Sequence, residues 1–255
     1  MKLIKTYKQL AETENLSTKL KNNLKSLLIN KILPNKFNKD DKFIIYPFWH
    51  HVFDDEINNF KIQLNLMKNY GDFISYEDSI KILKEGLKPK EKYFCLSFDD
   101  GFKNIYDNVI DVFLRDKIPC MFFIPTSFID NLREDAGKIF FNSKYVNIEF
   151  LSWRECEKIV SESIFDIGSH SINHNLISKL TTDECISEVE MSKNIIEKNL
   201  NINCNHFAPP VGDYSITRDL KLIKNSNYKS LSTTVRGKMG KDNFDVYASR
   251  RHHLL

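Results

Sequence analysis

Short apolar runs recur along the chain and predict buried strands. They are rich in Phe, Ile and Val and are bounded by polar or turn-forming residues, which is typical of strands that are covered on both faces. Because they are short, apolar and in part rich in aromatic residues, we interpret them as buried strands. The seven runs are 42–52, 93–98, 119–128, 164–170, 205–212, 228–235 and 244–250.

Amphipathic segments separate these runs and predict helices. Between Ile57 and Met67, apolar side chains recur at spacings of three and four, as on one face of a helix. Ser152 and Glu155 form a capping-box pattern at the start of another helix, and Gly86 is a plausible helix end. Residues 128–150 fit neither pattern and are interpreted as an excursion with short elements. The predicted helices cover 17–32, 56–70, 77–85, 102–117, 152–161, 181–200 and 216–226.

Strands that alternate with helices predict an α/β fold with a parallel sheet or barrel. Seven strands favour a barrel over an open sheet. The chain has no repeat, low-complexity tract or Gly/Ser linker, so we predict one barrel domain over 41–255 with a helical N-terminal extension over 1–40.

Composition narrows the class of protein. The net charge of +3, from 37 basic and 34 acidic residues, gives no indication of nucleic-acid binding. No apolar run approaches the roughly 20 residues of a membrane span, so no stable membrane insertion is expected. The N-terminus lacks the pattern of a secretory signal. The five cysteines are scattered without a C-x-x-C pair, and together these features predict a cytoplasmic protein.

Polar residues follow the apolar runs where a parallel barrel collects its active site. Asp99 and Asp100 follow one run, His170 and His174 follow another, and the neighbouring pair His50-His51 ends the first. The two histidines are four positions apart, so one helical turn would place both imidazoles on the same side. Two imidazoles and one carboxylate form a plausible open site for one divalent metal. The second carboxylate of the pair could then accept a proton from water.

Two of these segments resemble the polysaccharide deacetylases of the NodB-homology type (carbohydrate esterase family 4). S-F-D-D-G is similar to the first motif of that family, and H-S-I-N-H is similar to the second. The resemblance implies an irregular (β/α) barrel that removes N-acetyl groups from amino sugars. It also implies that Asp99 is the general base and that Asp100, His170 and His174 hold the metal. The ligand set favours zinc, and iron, cobalt and nickel are compatible with it.

The chain departs from the family pattern at two places. Ala208 stands where an Arg that pairs with the base is usual, and Arg236, Arg250 or Arg251 could replace it. The general acid is usually a late histidine, but the late candidates His252 and His253 stand at the chain end, where fraying is expected. The run Y-P-F-W-H-H-V resembles a strand of the permuted poly-N-acetylglucosamine deacetylase branch, in which the first strand supplies this acid. Its H-x-V spacing selects His50 over His51.

The resemblance implies an N-acylated amino sugar, or a sugar-linked precursor of a surface glycan, as the substrate. Pro209 and Gly212 in the A-P-P-V-G turn, with Trp49 and Tyr214, are predicted to contact the sugar. Two alternatives remain open, namely a deformylase or other N-acyl amidase with the same metal site, and a catalytically silent sugar-binding protein. The sequence does not define the oligomeric state.

Overall fold

A computed structural model describes residues 2–12, 42–85, 92–131, 133–239 and 245–254. The predicted helix over 17–32 and the predicted helix end at Gly86 lie outside these residues. The proposed boundary between an extension and a barrel domain at residue 40 also stays a prediction. Within residues 2–12, the first strand pairs with Val146–Asn147, so the beginning of the chain contacts the segment that follows Phe141.

Seven parallel strands form a closed ring, which confirms the predicted α/β barrel. Neighbours pair in the order β10-β9-β8-β6-β5-β2, and β11 pairs with the free side of β2. A bridge between Ser232 and Ser249 joins the end of β10 to the approach of β11 and closes the ring. The strands are β1 (Lys2–Leu3), β2 (Phe43–Trp49), β3 (Asp72–Phe73), β4 (Lys92–Phe94), β5 (Leu96–Phe98), β6 (Cys120–Ile124), β7 (Val146–Asn147), β8 (Phe165–Ser169), β9 (His206–Phe207), β10 (Ser230–Leu231) and β11 (Arg251–His253).

The strand predicted over 93–98 is divided at Cys95 into β4 and β5, which keep one register against β2. The strand predicted over 244–250 is wrong. Its described part, 245–250, forms turns and the bridge at Ser249, and the final strand is β11. The reason is that β11 carries polar side chains into the barrel, so apolar periodicity does not reveal it.

The helices pack outside the ring. The predicted helix over 102–117 is interrupted at Val109, and the predicted helix over 181–200 contains a π-helical turn, Ser187–Met191. The capping box of Ser152 and Glu155 is confirmed.

Among the described helices, none has the length and apolar character that a membrane crossing requires. They are α1 (Tyr7–Ala11), α2 (Ile57–Tyr70), α3 (Tyr76–Lys84), α4 (Lys103–Asn108), α5 (Ile110–Asp116), α6 (Ala136–Phe141), α7 (Trp153–Ser161), α8 (Thr182–Ile186), α9 (Ser192–Leu200) and α10 (Asp219–Asn225).

Alternation along the strands decides which side chains enter the barrel. One buried cluster contains Tyr46, Met121, Phe123 and Ala208, and it is separate from the larger cluster under the helices. Gly168 belongs to the inward set, because a Cβ at this position would lie 2.6 Å from the ring of Phe123. Continuing the same alternation to the carboxyl ends of the strands brings polar groups inward at one mouth of the barrel.

Candidate metal centre and active site

Three predicted ligands meet at the carboxyl ends of β5 and β8. Oδ1 of Asp100 lies 3.3 Å from Nε2 of His170 and 3.2 Å from Nε2 of His174. Asp100 and His170 are buried, and His174 is nearly so. The arrangement brings one carboxylate and two imidazoles together, as the sequence predicts.

The donor set fits a divalent transition metal. Oδ1 of Asp100 is buried and forms no hydrogen bond within the described part of the chain, although an isolated buried carboxylate oxygen is costly. Donors of a tetrahedral site with bonds of about 2.0–2.1 Å lie about 3.3 Å apart, which matches the two oxygen–nitrogen separations, and all three donor atoms lie within 4.8 Å of one another. The site is therefore suited to a cation between the three atoms, with positions left for other ligands.

The backbone carbonyl of Ala208, directly after the neighbouring strand β9, orients the imidazole of His170. Nδ1 lies 2.6 Å from the carbonyl oxygen of Ala208, so this nitrogen carries the proton and donates to that oxygen. The lone pair of Nε2 is then available to a metal. Ala208, which lacks the side chain usual at this position, thus acts on the site through its backbone.

The loop between the two histidines is not helical, so the helical turn predicted for them is wrong. Ser171 and His174 have left-handed backbone conformations, with φ of 66° and 57°. The turn brings the imidazoles to a centroid distance of 5.1 Å by another route. Phe140 of α6 packs against His174 at 4.6 Å, so the 128–150 excursion contributes a wall of the site.

The Asp100-Gly101 turn after β5 is also left-handed, with φ of 71° and 66°. Asp tolerates this region better than most side chains, and Gly adopts it without a steric penalty. At Gly101, a Cβ would lie 3.2 Å from Ile124 Cγ2. The turn lets two consecutive carboxylates have different neighbours, which matches the division of roles predicted for them.

Asp99 pairs with Arg251 instead of joining the metal ligands. The guanidinium donates from both terminal nitrogens to the carboxylate at 2.6 and 2.8 Å, and both side chains are almost fully buried. Nε of Arg251 donates to the carbonyl oxygen of Thr233, and Phe48 lies under the guanidinium at 4.2 Å. Of the three arginines considered from the sequence, Arg251 therefore occupies the position beside the predicted base.

Charge around the site sets the protonation of these groups. Burial raises the pKa of Asp99, but Arg251 and then His170 outweigh it and hold that pKa below its usual value. The pKa of Arg251 is raised, since the attraction of Asp99 exceeds the effect of burial. Burial lowers the pKa of His50 in spite of the nearby Asp100 and Asp99. Asp99 is thus ionised at neutral pH, as a general base must be.

His50 lies next to a second histidine from the far end of the described chain. Its Nδ1 is 3.0 Å from Nε2 of His253, and the two rings meet edge to face. The expectation that residues 252 and 253 are frayed is wrong, because β11 pairs with β2 and holds both in place. His252 instead contacts the backbone of Gly237, and His51 pairs with Glu56 at 3.3 Å.

A cavity of about 1040 Å³ opens over these groups. Of the four predicted sugar contacts, Trp49 lines the cavity but is 2% exposed, with its ring packed against Phe60 and Phe98. Pro209, Gly212 and Tyr214 do not line it, although Val211 of the same turn does. A sugar-binding role for these four residues stays a prediction. The polar groups that line the cavity include His50, Asp99, Asp100, His170, His174 and His253.

The sequence of the chain is similar to those of two staphylococcal N-deacetylases. The chain is 24% identical over 162 residues to the poly-β-1,6-N-acetyl-D-glucosamine N-deacetylase of Staphylococcus epidermidis, covering 60% of this chain and 52% of that protein. Its identity to the Staphylococcus aureus enzyme of the same name is 22% over 183 residues, covering 68% and 58%. The chain therefore spans little more than half the length of these relatives.

Solved structures share the fold. IcaB from Ammonifex degensii superimposes with a TM-score of 0.71 at 16% identity, covering 84% of this chain and 93% of that chain. The Streptococcus pyogenes deacetylase PplD, in complex with acetate, gives 0.67 at 21% identity with the same coverage. The sequence model of the polysaccharide deacetylase family matches residues 86–231, which is more than half of the chain and includes the three metal-ligand candidates. With barrel, motifs and family model in agreement, the chain belongs to the polysaccharide deacetylase family.

Proposed function

We propose that the chain is a metal-dependent hydrolase that removes the N-acetyl group from an amino sugar of a surface glycan or its precursor. The observation that carries the proposal is the meeting of three elements at one cavity. These are the buried Asp100, His170 and His174 trio, the Asp99–Arg251 ion pair, and the His50–His253 pair. A silent sugar-binding protein would have no use for an ionised base beside an open metal site.

Each polar group has a separate task in amide hydrolysis. A divalent cation in the trio, with zinc favoured, would supply Lewis-acid polarisation of the amide carbonyl and of a water molecule. Asp99 accepts the proton of the attacking water, and Arg251 keeps the carboxylate ionised and fixed. His50 donates a proton to the departing amine of the sugar from its protonated form, which its lowered pKa makes the minor form at neutral pH. Acetate and a free amino sugar are the products.

We also propose that the protein works in a reducing compartment, the cytoplasm. All five cysteines are buried free thiols, which supports this location. Cell fractionation followed by immunodetection tests it, and recovery in the culture medium or at the cell surface would contradict it. In the cytoplasm, a soluble or lipid-linked precursor would be the substrate available to the enzyme.

Acetate release tests the proposed reaction. We expect purified protein, reconstituted separately with zinc, iron, cobalt and nickel, to release acetate from β-1,6-linked N-acetylglucosamine oligomers. His170→Ala is expected to lose both the metal and the activity, because two ligands hold a transition metal far less tightly than three. Release of formate only, from formylated analogues, would favour the deformylase alternative. Oligomer binding without hydrolysis by the metal-loaded protein would favour the silent binder.

The assignment of the general acid predicts unequal effects at two adjacent histidines. His50→Gln is expected to lower kcat by about 10²–10⁴-fold, since protonation of the leaving amine would be lost. His51→Gln is the matched control and should retain nearly all activity, because His51 contacts Glu56 and not His253. Steady-state kinetics at several pH values measure both. A larger loss at His51 than at His50 would reverse the assignment.

A further inference from the structure

Glu188 lies in the π-helical turn Ser187–Met191 and is 5% exposed. Within the described residues, its carboxylate accepts hydrogen bonds from Ile172, Asn173 and Asn175, which lie in or directly after the loop that connects two metal-ligand candidates. Oε2 accepts from the backbone N–H groups of Ile172 and Asn173 at 2.7 and 2.9 Å. Oε1 accepts from the side-chain amides of Asn173 and Asn175 at 2.7 and 3.3 Å. One buried side chain therefore fixes the conformation of the loop through hydrogen bonds from the protein interior.

The loop has a conformation that needs such support. Left-handed backbone at Ser171 and His174 is unfavourable for L-residues and persists only where neighbouring contacts fix it. The Ser171 hydroxyl accepts the backbone N–H of His174 at 3.2 Å, and the Ser171 N–H donates to Ser169. Ser169 in turn bonds Ser192, in the helical turn after Glu188. Glu188 and Ser192 thus hold the two sides of the same loop.

The use of a carboxylate here is informative, because burying its charge is costly. Within the described residues, Glu188 has no ion pair with Lys or Arg, and four N–H donors offset its desolvation instead. π-Helical turns are rare and occur often at functional sites. A buried carboxylate on such a turn, whose hydrogen bonds within the described residues all come from the 172–175 segment, indicates a task beyond filling space.

We propose that Glu188 is a positioning residue for the metal site, which fixes the 171–175 loop so that Nε2 of His174 faces Oδ1 of Asp100. This inference rests on the metal site of the proposed function. Without Glu188, the backbone N–H groups of Ile172 and Asn173 lose their partners and the loop relaxes. Metal binding must then reorder the loop, which lowers the affinity for the metal. Partners that orient metal ligands typically change metal affinity by 10–100-fold.

The test measures metal affinity directly. Dissociation constants for Zn²⁺ and Co²⁺ are determined by chelator competition for wild type, Glu188→Ala, Glu188→Gln and Glu190→Gln. The visible absorption of bound Co²⁺ reports ligand geometry. Glu190 belongs to the same π-helical turn but is exposed and contacts Ser226, so its variant controls for changes in the turn. Circular dichroism and thermal melting of each metal-free protein report folding.

We expect Glu188→Ala to weaken binding of both metals by about 10–100-fold and to alter the Co²⁺ spectrum. Glu188→Gln should be intermediate, because its remaining oxygen can still accept from the two backbone N–H groups. Should Glu188→Ala fail to fold, Glu188→Gln and Asn173→Ala decide the question, and both are expected to weaken binding. Glu190→Gln should match the wild type.

Two outcomes overturn the inference in different ways. If the wild type binds metal tightly and the folded Glu188 variants bind it equally tightly with an unchanged Co²⁺ spectrum, Glu188 is only structural and the proposed function stands. If the wild type binds neither metal, the metal site and the proposed function both fail. Lower melting temperatures alone, without weaker metal binding, would also contradict the positioning role.

Discussion

Asp99→Asn is expected to lower kcat for acetate release by about 10²–10⁴-fold while the protein keeps its metal. The amide has nearly the shape of the carboxylate but cannot accept the proton of the attacking water. The metal should remain, because Asp100, His170 and His174 supply the ligand atoms and Asp99 bonds Arg251. Metal content by elemental analysis and steady-state kinetics on the same preparation test both parts.

Asp100→Asn provides the contrasting variant at the adjacent position. We expect it to lose metal and activity together, because an amide oxygen is a weaker ligand than a carboxylate and Oδ1 of Asp100 faces both imidazoles. The two variants therefore separate proton transfer from metal binding. Full activity of Asp99→Asn, or metal loss in that variant alone, would contradict the roles assigned to the two carboxylates.

Arg251→Ala is expected to destabilise the protein by about 3–5 kcal/mol at neutral pH, because it leaves the buried carboxylate of Asp99 without its partner. Activity should fall as well, since Arg251 orients the predicted base. Urea denaturation in the presence of a chelator measures the free energy of unfolding without a contribution from bound metal. Arg250→Ala, which alters an exposed neighbour, should leave this free energy within about 0.5 kcal/mol of the wild type.

The stability loss of Arg251→Ala should depend on pH. In the wild type, the pKa of Asp99 is below its usual value, so the ion pair stabilises the fold above the unfolded pKa of about 3.9 and is lost as pH falls through the folded pKa. In Arg251→Ala, burial acts with less opposition and raises the pKa of Asp99. The destabilisation should therefore be greater at pH 8 than at pH 4.5. An equal loss at both values would exclude the unpaired charge as its cause.

Sequence periodicity predicted the barrel because most of its strands and helices bury apolar faces. The last strand was predicted at 244–250 instead of at β11 for a related reason. The inward side chains of β11, Arg251 and His253, contact other polar groups, so they leave no apolar alternation to detect. The run at 244–250 has the apolar residues, yet its described part forms turns. A strand that serves the active site thus lacks the usual signal of a strand.

The two motifs predicted the metal site because their residues are close in sequence and joined by short turns. The partners of the base and of the acid could not be identified in this way. Arg251 was one of three candidates, since sequence alone does not show which arginine reaches the end of β5. His253 was discounted because β11 was not recognised. Glu188 gave no signal, since a glutamate within an amphipathic helix usually faces solvent.

Closure of the barrel by β11 has a consequence for the order of folding. The metal-ligand candidates lie between residues 100 and 174, whereas Asp99 and Arg251 are 152 positions apart and His50 and His253 are 203 positions apart. Contacts between distant residues cost more loop-closure entropy and tend to form late. We therefore expect a refolding chain to gain its metal site before β11 docks, so that metal binding precedes catalytic competence.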